Sequence, residues 1–190
     1  GCFMINSAQS FLDLISTFSR DGKEFERLCQ WILETHPLYK DKLEQVWMWD
    51  DWPSKWGRDC GIDLVAKDVN GKIWAIQAKN YSAEYSVTKH DIDAFLSESA
   101  NEVIGQRLLI ATTDKIATNA VNVIGRSQSN IPVSQLMLSD LLDAPISWPK
   151  SLSDLDSGGL QQAYTPKLYQ EDAIDQVVKN LHSRGQLIMA

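Results

Sequence analysis

A chain of 190 residues can hold one core of about 100 to 150 residues plus a tail, and 44% hydrophobic content with mixed charge is the composition of a globular protein. No uninterrupted apolar run approaches the roughly 18 residues of a membrane span, residues 1–20 lack the basic flank and apolar stretch of a secretory signal, and the three unpatterned cysteines fit a reducing cytoplasm best. A net charge of −7 argues against a domain that grips DNA unaided, because such affinity comes largely from lysine and arginine neutralising phosphates.

Residues 8–20 predict a short helix with Phe11, Leu12, Ile15 and Phe18 inward, broken by Asp21-Gly22. A second helix over 22–35 carries Phe25, Leu28, Cys29, Ile32 and Leu33 at helical spacing and stops at Pro37. Cys29 reads as core. With Cys2 and Cys60 it forms no CxxC pattern, so neither a disulfide framework nor a zinc cage is indicated. His36, His90 and His182 are too scattered to form a ligand set. Glu26 borders the apolar stripe, where a carboxylate either reaches a neighbouring strand end or stays solvated. Residues 44–49 read as a strand ended by Asp50, Asp51, Trp52 and Pro53. Trp47, Trp49, Trp52 and Trp56 offer ring faces for base stacking, but their clustering around strands and turns favours packing. Arg58 is a candidate phosphate contact, with a salt bridge to Asp59 as the alternative.

Residues 57–79 predict two short strands joined at Asn70-Gly71, a dipeptide that tolerates the positive φ of a tight turn. Period two sets Gln77 and Lys79 on one face and turns Ala78 away. Turn length decides where Asp63 falls. A loop of only Asn70 and Gly71 pairs Asp63 with Ala78, whereas a loop of Val69 to Gly71 with Gly71 left-handed pairs it with Gln77. A bulged turn, or a distortion near Asp63, is therefore predicted to bring its carboxylate beside Gln77 and Lys79. An acid, an amide oxygen and an ammonium meeting at a sheet edge suit a divalent-metal site that handles phosphate.

Residues 80–87 form a polar loop, and Thr88 caps a helix reaching about Ser99 with Ile92, Phe95 and Leu96 inward. Lys89, near its start, is a candidate DNA contact or a solvated lysine. Gln106 to Thr113 reads as a buried strand, Thr113 or Asp114 as the cap of a helix from Lys115 to Ile124, and Val133 to Leu138 as another strand. Ser139 to Leu142 begins a short helix. This order is that of a mixed α/β sandwich.

Gly61-Ile62-Asp63 followed by Gln77-Ala78-Lys79 resembles the PD-(D/E)xK nuclease core in its Mrr-like form, where glutamine often replaces the middle acid. Gly22-Lys23-Glu24-Phe25-Glu26 resembles the G-x-x-F-E motif of that branch, and the likeness spans roughly residues 20–145. Two departures stand out: no proline precedes Asp63, and Gln77 is a weaker ligand than a carboxylate. The resemblance implies an α/β, restriction-endonuclease-like mixed sheet flanked by helices that cuts double-stranded DNA with Mg²⁺ or Mn²⁺. It implies that Asp63 and the Gln77 amide oxygen hold the ion, with the Ala78 carbonyl and with Glu26 directly or through water. Lys79 is implied to orient the attacking water and stabilise the transition state.

Residues 146–165, rich in serine, glycine and proline, have the composition of a linker. Beyond them, Leu168-Tyr169-Gln170-Glu171-Asp172-Ala173-Ile174, followed by a strand expected over Gly185 to Ala190, resembles the Q-motif region of superfamily 2 helicases. That resemblance implies that Gln170 contacts adenine in a parent protein, where ATP would bind beyond this fragment. The expected domains are thus an Mrr-like nuclease over 1–145, a linker over 146–165, and the start of a RecA-like helicase domain over 166–190 as a C-terminal extension. The combination resembles single-polypeptide Type I (ISP) restriction-modification enzymes. The implied partners are double-stranded DNA, a helicase-like motor, methyltransferase and target-recognition parts of the same chain, and a second nuclease copy during cleavage. The alternatives are the nuclease and motor subunit of a multi-subunit Type I enzyme, or a catalytically silent DNA-binding or docking module of the same fold.

Overall fold

The computed structural model describes residues 2–58, 60–128 and 130–156. The helix and strand expected after residue 165, Gln170, Asp59 and the end of the expected linker lie outside the described residues. Helix α1 (Cys2–Ser16) precedes α2 (Lys23–Thr35). The first helix starts before residue 8 and stops short of Arg20. At its end the Ser16 and Thr17 hydroxyls donate to the Asp13 and Leu14 carbonyls, both at 2.7 Å, and these local bonds compete with the helical ladder. Gly22, with φ of 81°, opens α2.

The remaining elements are β1 (Leu43–Met48), a 3₁₀ turn (Trp49–Asp51), β2 (Leu64–Asp68), β3 (Ile73–Lys79), α3 (Lys89–Glu98), β4 (Ile104–Ala111), α4 (Thr118–Ser127), β5 (Val133–Leu136), α5 (Leu138–Leu142) and α6 (Ser153–Asp156). The five strands lie in sequence order in one sheet, antiparallel from β1 to β3 and parallel from β3 to β5. This is the mixed, helix-flanked sheet that the element order led us to expect. Strand alternation splits the interior into two cores. Leu64, Trp74, Ile76 and Leu108 pack with Phe11, Phe25, Leu28 and Cys29 of α1 and α2. Val65, Ala75 and Leu109 pack on the other face with Ile92 and Phe95 of α3 and Ile124 of α4. Full burial of each side chain such as Phe25, Leu28 or Ile76 contributes roughly 1.5–3 kcal/mol. No helix among the described residues is long and apolar enough to cross a membrane.

Two local expectations change and a third, the packing of the tryptophans, holds. The helix expected from Lys115 begins at Thr118, because the Val87 N–H donates to the Lys115 carbonyl and the Val87 carbonyl accepts from the Ala117 N–H, which holds residues 115–117 as a parallel bridge. The Thr113 hydroxyl lies 2.7 Å from the Tyr85 carbonyl, and Asp114 accepts from the Ser139 N–H and hydroxyl at 2.9 Å. The core also continues past Pro145 into the linker-like stretch. Ile146, Trp148 and Leu155 are buried in the first core, with the Trp148 ring 4.7 Å from Phe11 and 6.0 Å from Trp31. Finally, Trp49 and Trp52 are buried and Trp56 packs against both at 5.0 and 5.7 Å, so these rings build the second core.

The β2–β3 turn sets the register of the sheet. Leu64 pairs with Ile76 and Lys67 with Ile73. The loop is Val69 to Gly71, with Gly71 at φ of 84°, the three-residue form of the two turns considered. A buried carboxylate shapes it: Asp68 accepts from the Asn70 and Lys72 N–H groups at 2.9 Å and from Trp74 Nε1 at 3.1 Å. Burial pushes the Asp68 carboxyl up, but these donors outweigh it and hold it below its usual 3.8. Its stabilisation is therefore present above that pH and lost as pH falls through the lowered folded value. Replacing Asp68 by Asn should lower stability to urea by about 1.5–3 kcal/mol at pH 7. The gap to wild type should narrow as the pH drops below 3.8. Equal urea midpoints at pH 7 would show that the turn does not depend on this charge.

Candidate active site

Asp63 lies just outside the β2 ladder. Its N–H donates to the Ile76 carbonyl at 3.0 Å, although Ile76 already pairs with Leu64, and its carbonyl accepts from Trp49 N–H at 2.9 Å. Two residues set against one is the count of a β-bulge. Ile62 packs into the second core, while Asp63 turns toward α2 on the other face. There its Oδ2 accepts from the Ala78 N–H at 2.8 Å.

Glu26 meets it from the helix. Asp21 anchors the start of α2 by accepting from the Lys23 N–H at 3.0 Å, and Glu24 turns back to the Ser19 N–H at 2.9 Å. Glu26, only 9% exposed, faces the same hollows as Asp63 and lies 3.5 Å from the Lys23 ammonium. Burial, then the Asp63 charge, push the Glu26 carboxyl from 4.5 up to about 7. Asp63 is raised as well, chiefly by burial, against the pull of the Ala78 N–H, Glu26, Lys79 and Lys23. Two acids packed this closely retain a proton near neutrality unless a cation takes its place.

The pair lies in the wall between two hollows. A cleft of about 620 Å³ is lined by Glu26, Asp63, Ala78 and Lys79 together with Phe18, Arg20, Tyr81 and Tyr85. A smaller one of about 320 Å³ reaches the same carboxylates past Lys23, Met48, Trp49 and Gly61. The Tyr81 and Tyr85 rings lie 4.5 Å apart, and the Tyr85 hydroxyl donates to Asp91 at 3.0 Å. Asp91 also closes the capping box with Thr88, so the tyrosine wall is tied to the start of α3.

Of the residues expected to converge, Asp63, Glu26, Ala78 and Lys79 do so. Gln77 does not line either hollow, because strand alternation puts it on the second-core face opposite Leu109. Lys89 pairs with Asp93 of its own helix at 2.9 Å, and neither it nor Arg58 lines the cleft. Arg20 and Lys23 are the cations beside the carboxylates instead. They escaped notice in the sequence because only the fold of the turn before α2 brings them there, although Lys23 belongs to the Gly22–Glu26 motif. Among the described residues no group of three His, Cys, Asp or Glu side chains forms a ready metal cage, so main-chain oxygen or water would complete any shell.

Between pH 4.5 and about 7 the folded protein holds a proton on Glu26 that the unfolded chain has released. Metal-free stability should therefore fall as pH rises across that window. Glu26→Gln, which mimics the protonated side chain, should flatten most of the fall in urea midpoints. An unchanged slope in the variant would contradict the shared proton.

Residues 34–157 match the family model Mrr_cat_2, described as restriction endonuclease; the match includes Asp63, Gln77 and Lys79 and leaves Glu26 outside. The structure is similar to part of the ATP-dependent Type ISP restriction-modification enzyme LlaBIII bound to DNA, with 33% identity and a TM-score of 0.57. That similarity covers 65% of this chain and 8% of LlaBIII. It is also similar to the DNA modification-dependent restriction endonuclease AspBHI, with a TM-score of 0.52 over 83% of this chain and 40% of the other; at 14% identity this likeness shows the fold alone. No curated protein sequence matches the chain. Because the family model covers well over half of its length, the chain belongs to the Mrr_cat_2 family of restriction endonucleases.

Proposed function

We propose that this chain is the DNA-cleaving part of an ATP-driven restriction-modification enzyme, with Glu26, Asp63, Lys79 and the Ala78 main-chain carbonyl as a metal-dependent hydrolytic site. The observation that carries the reading is the convergence of Glu26, Asp63, Ala78 and Lys79 on one open cleft. Two carboxylates driven toward their neutral forms by burial and proximity fit a divalent ion, which supplies the positive charge otherwise supplied by a proton. Asp63, Glu26 and the Ala78 carbonyl would hold Mg²⁺ or Mn²⁺. When bound, the ion lowers the pKa of water and polarises the phosphoryl oxygen.

The chain's own groups do the rest. The Lys79 ammonium stands where negative charge develops on the phosphate and offers a donor to the attacking water. Lys23 steadies Glu26, and its own pKa is raised chiefly by that carboxylate. Arg20 at the mouth offers a charge-assisted contact to a phosphate, while Phe18 and Tyr81 offer apolar faces to the sugar. An overall charge of −7 fits a cleft that receives a duplex held by other parts of a longer protein. The likeness to LlaBIII, an ATP-dependent and DNA-bound enzyme, supports that setting. In this reading residues 166–190 begin the motor and Gln170 contacts adenine.

The test uses the intact protein with supercoiled plasmid, ATP and Mg²⁺ or Mn²⁺. Asp63→Asn and Lys79→Ala should each reduce cleavage about 10²- to 10³-fold or more while ATP hydrolysis persists. Mn²⁺ at pH 7.5 should raise the melting temperature of the wild type and not that of Asp63→Asn. Wild-type cleavage by either variant would remove the assignment.

A further inference from the structure

Gln77 is 3% exposed and sits on the sheet face away from Glu26. Its Nε2 donates to the Gly61 carbonyl at 3.3 Å, and its Oε1 is buried without a hydrogen-bond partner among the described residues. A carbonyl can only accept, so the Gly61 oxygen fixes which end of the amide faces it. Gly61 is confined from another side too. Its φ is 83°, and a Cβ there would meet the Ala94 side chain at 3.0 Å and the Ala94 carbonyl carbon at 3.1 Å. The turn that delivers Ile62 and Asp63 is thus held between the backbone of α3 and the Gln77 amide.

We propose that Gln77 is a positioning residue: its amide N–H holds the Gly61 turn and thereby sets where the Asp63 carboxylate sits. The inference rests on the reading of Asp63 as a metal-holding residue. It gives the glutamine of the Gln77-Ala78-Lys79 stretch a role opposite in chemistry to that of a ligand. A ligand works through Oε1, and glutamate in its place strengthens the hold on a cation. A clamp works through Nε2, and an ionised glutamate sets two acceptors face to face at Gly61.

The two roles separate in Mn²⁺ titrations of the intact protein without DNA, followed by loss of the free-ion electron paramagnetic resonance signal. Gln77→Glu and Gln77→Met should each weaken Mn²⁺ binding about 10- to 100-fold, with plasmid cleavage falling alongside. Gln77→Met also removes the unpartnered oxygen, and half-buried Gly61 can turn its carbonyl to water. Its melting temperature without metal should therefore stay at or above that of the wild type, which separates positioning from a general structural loss. Either variant binding Mn²⁺ as tightly as the wild type overturns the inference, as does a loss of binding matched by a collapse in melting temperature in both. A wild type that binds no Mn²⁺ overturns the proposed site itself and this inference with it.

Discussion

The close approach of Glu26 and Asp63 at one cleft brings together two acids that, dissolved in water, would stay apart. In a partly dry cleft their charges repel far more strongly than in solvent, so at least one stays neutral unless positive charge is added. Each fixture around them serves to keep the pair in place. The start of α2 is anchored by Asp21, Lys23 lies 3.5 Å from Glu26, and the Ala78 N–H holds Asp63 at 2.8 Å. The unfavourable contact is concentrated at one end of the sheet, and the two apolar cores beneath supply the stability that tolerates it.

A line of dependence runs from a turn to the cleft. The Asp68 carboxylate gathers three donors, which fixes a three-residue loop, which fixes Leu64 opposite Ile76. From that register the bulge at Asp63 carries its side chain to the α2 face while Ile62 stays on the other. A slip of one residue would exchange the faces of every side chain in β2 and take the carboxylate away from Glu26. The acid at the far end of the strand thus governs the acid at the site.

Much of this was legible in the sequence. Asn70-Gly71 between apolar runs marked the hairpin, and the need to bring Asp63 beside Gln77 and Lys79 called for a longer loop or a distortion at Asp63. Both are found, and together they turn Asp63 to the face away from Gln77. The border position of Glu26 on an apolar helix face marked it as an acid able to look inward. What stayed hidden depends on contacts between distant segments. The reach of Asp68 around its own turn, the placing of Arg20 and Tyr81 at one mouth, and the packing of Trp148 on Phe11 have no periodic signature. Gln77 shows why strand period alone misleads: it shares parity with Lys79, yet only Lys79, the last residue of β3, lines the cleft, and the bulge turns Asp63 to the face opposite Gln77.

In the proposed function the net charge of −7 and the acid pair are balanced from outside, by a cation in the cleft and by protein that holds the duplex elsewhere. The most direct test counts protons. Calorimetric titration with Mn²⁺ in buffers of different ionisation enthalpy gives the number of protons released per ion bound. At pH 6 the account predicts release of about one proton per ion, falling toward none at pH 9 as the pair with its upper value of about 7 becomes fully ionised beforehand. Binding at pH 6 with no proton release would mean that the two carboxylates were never sharing a proton, and the central claim would fail.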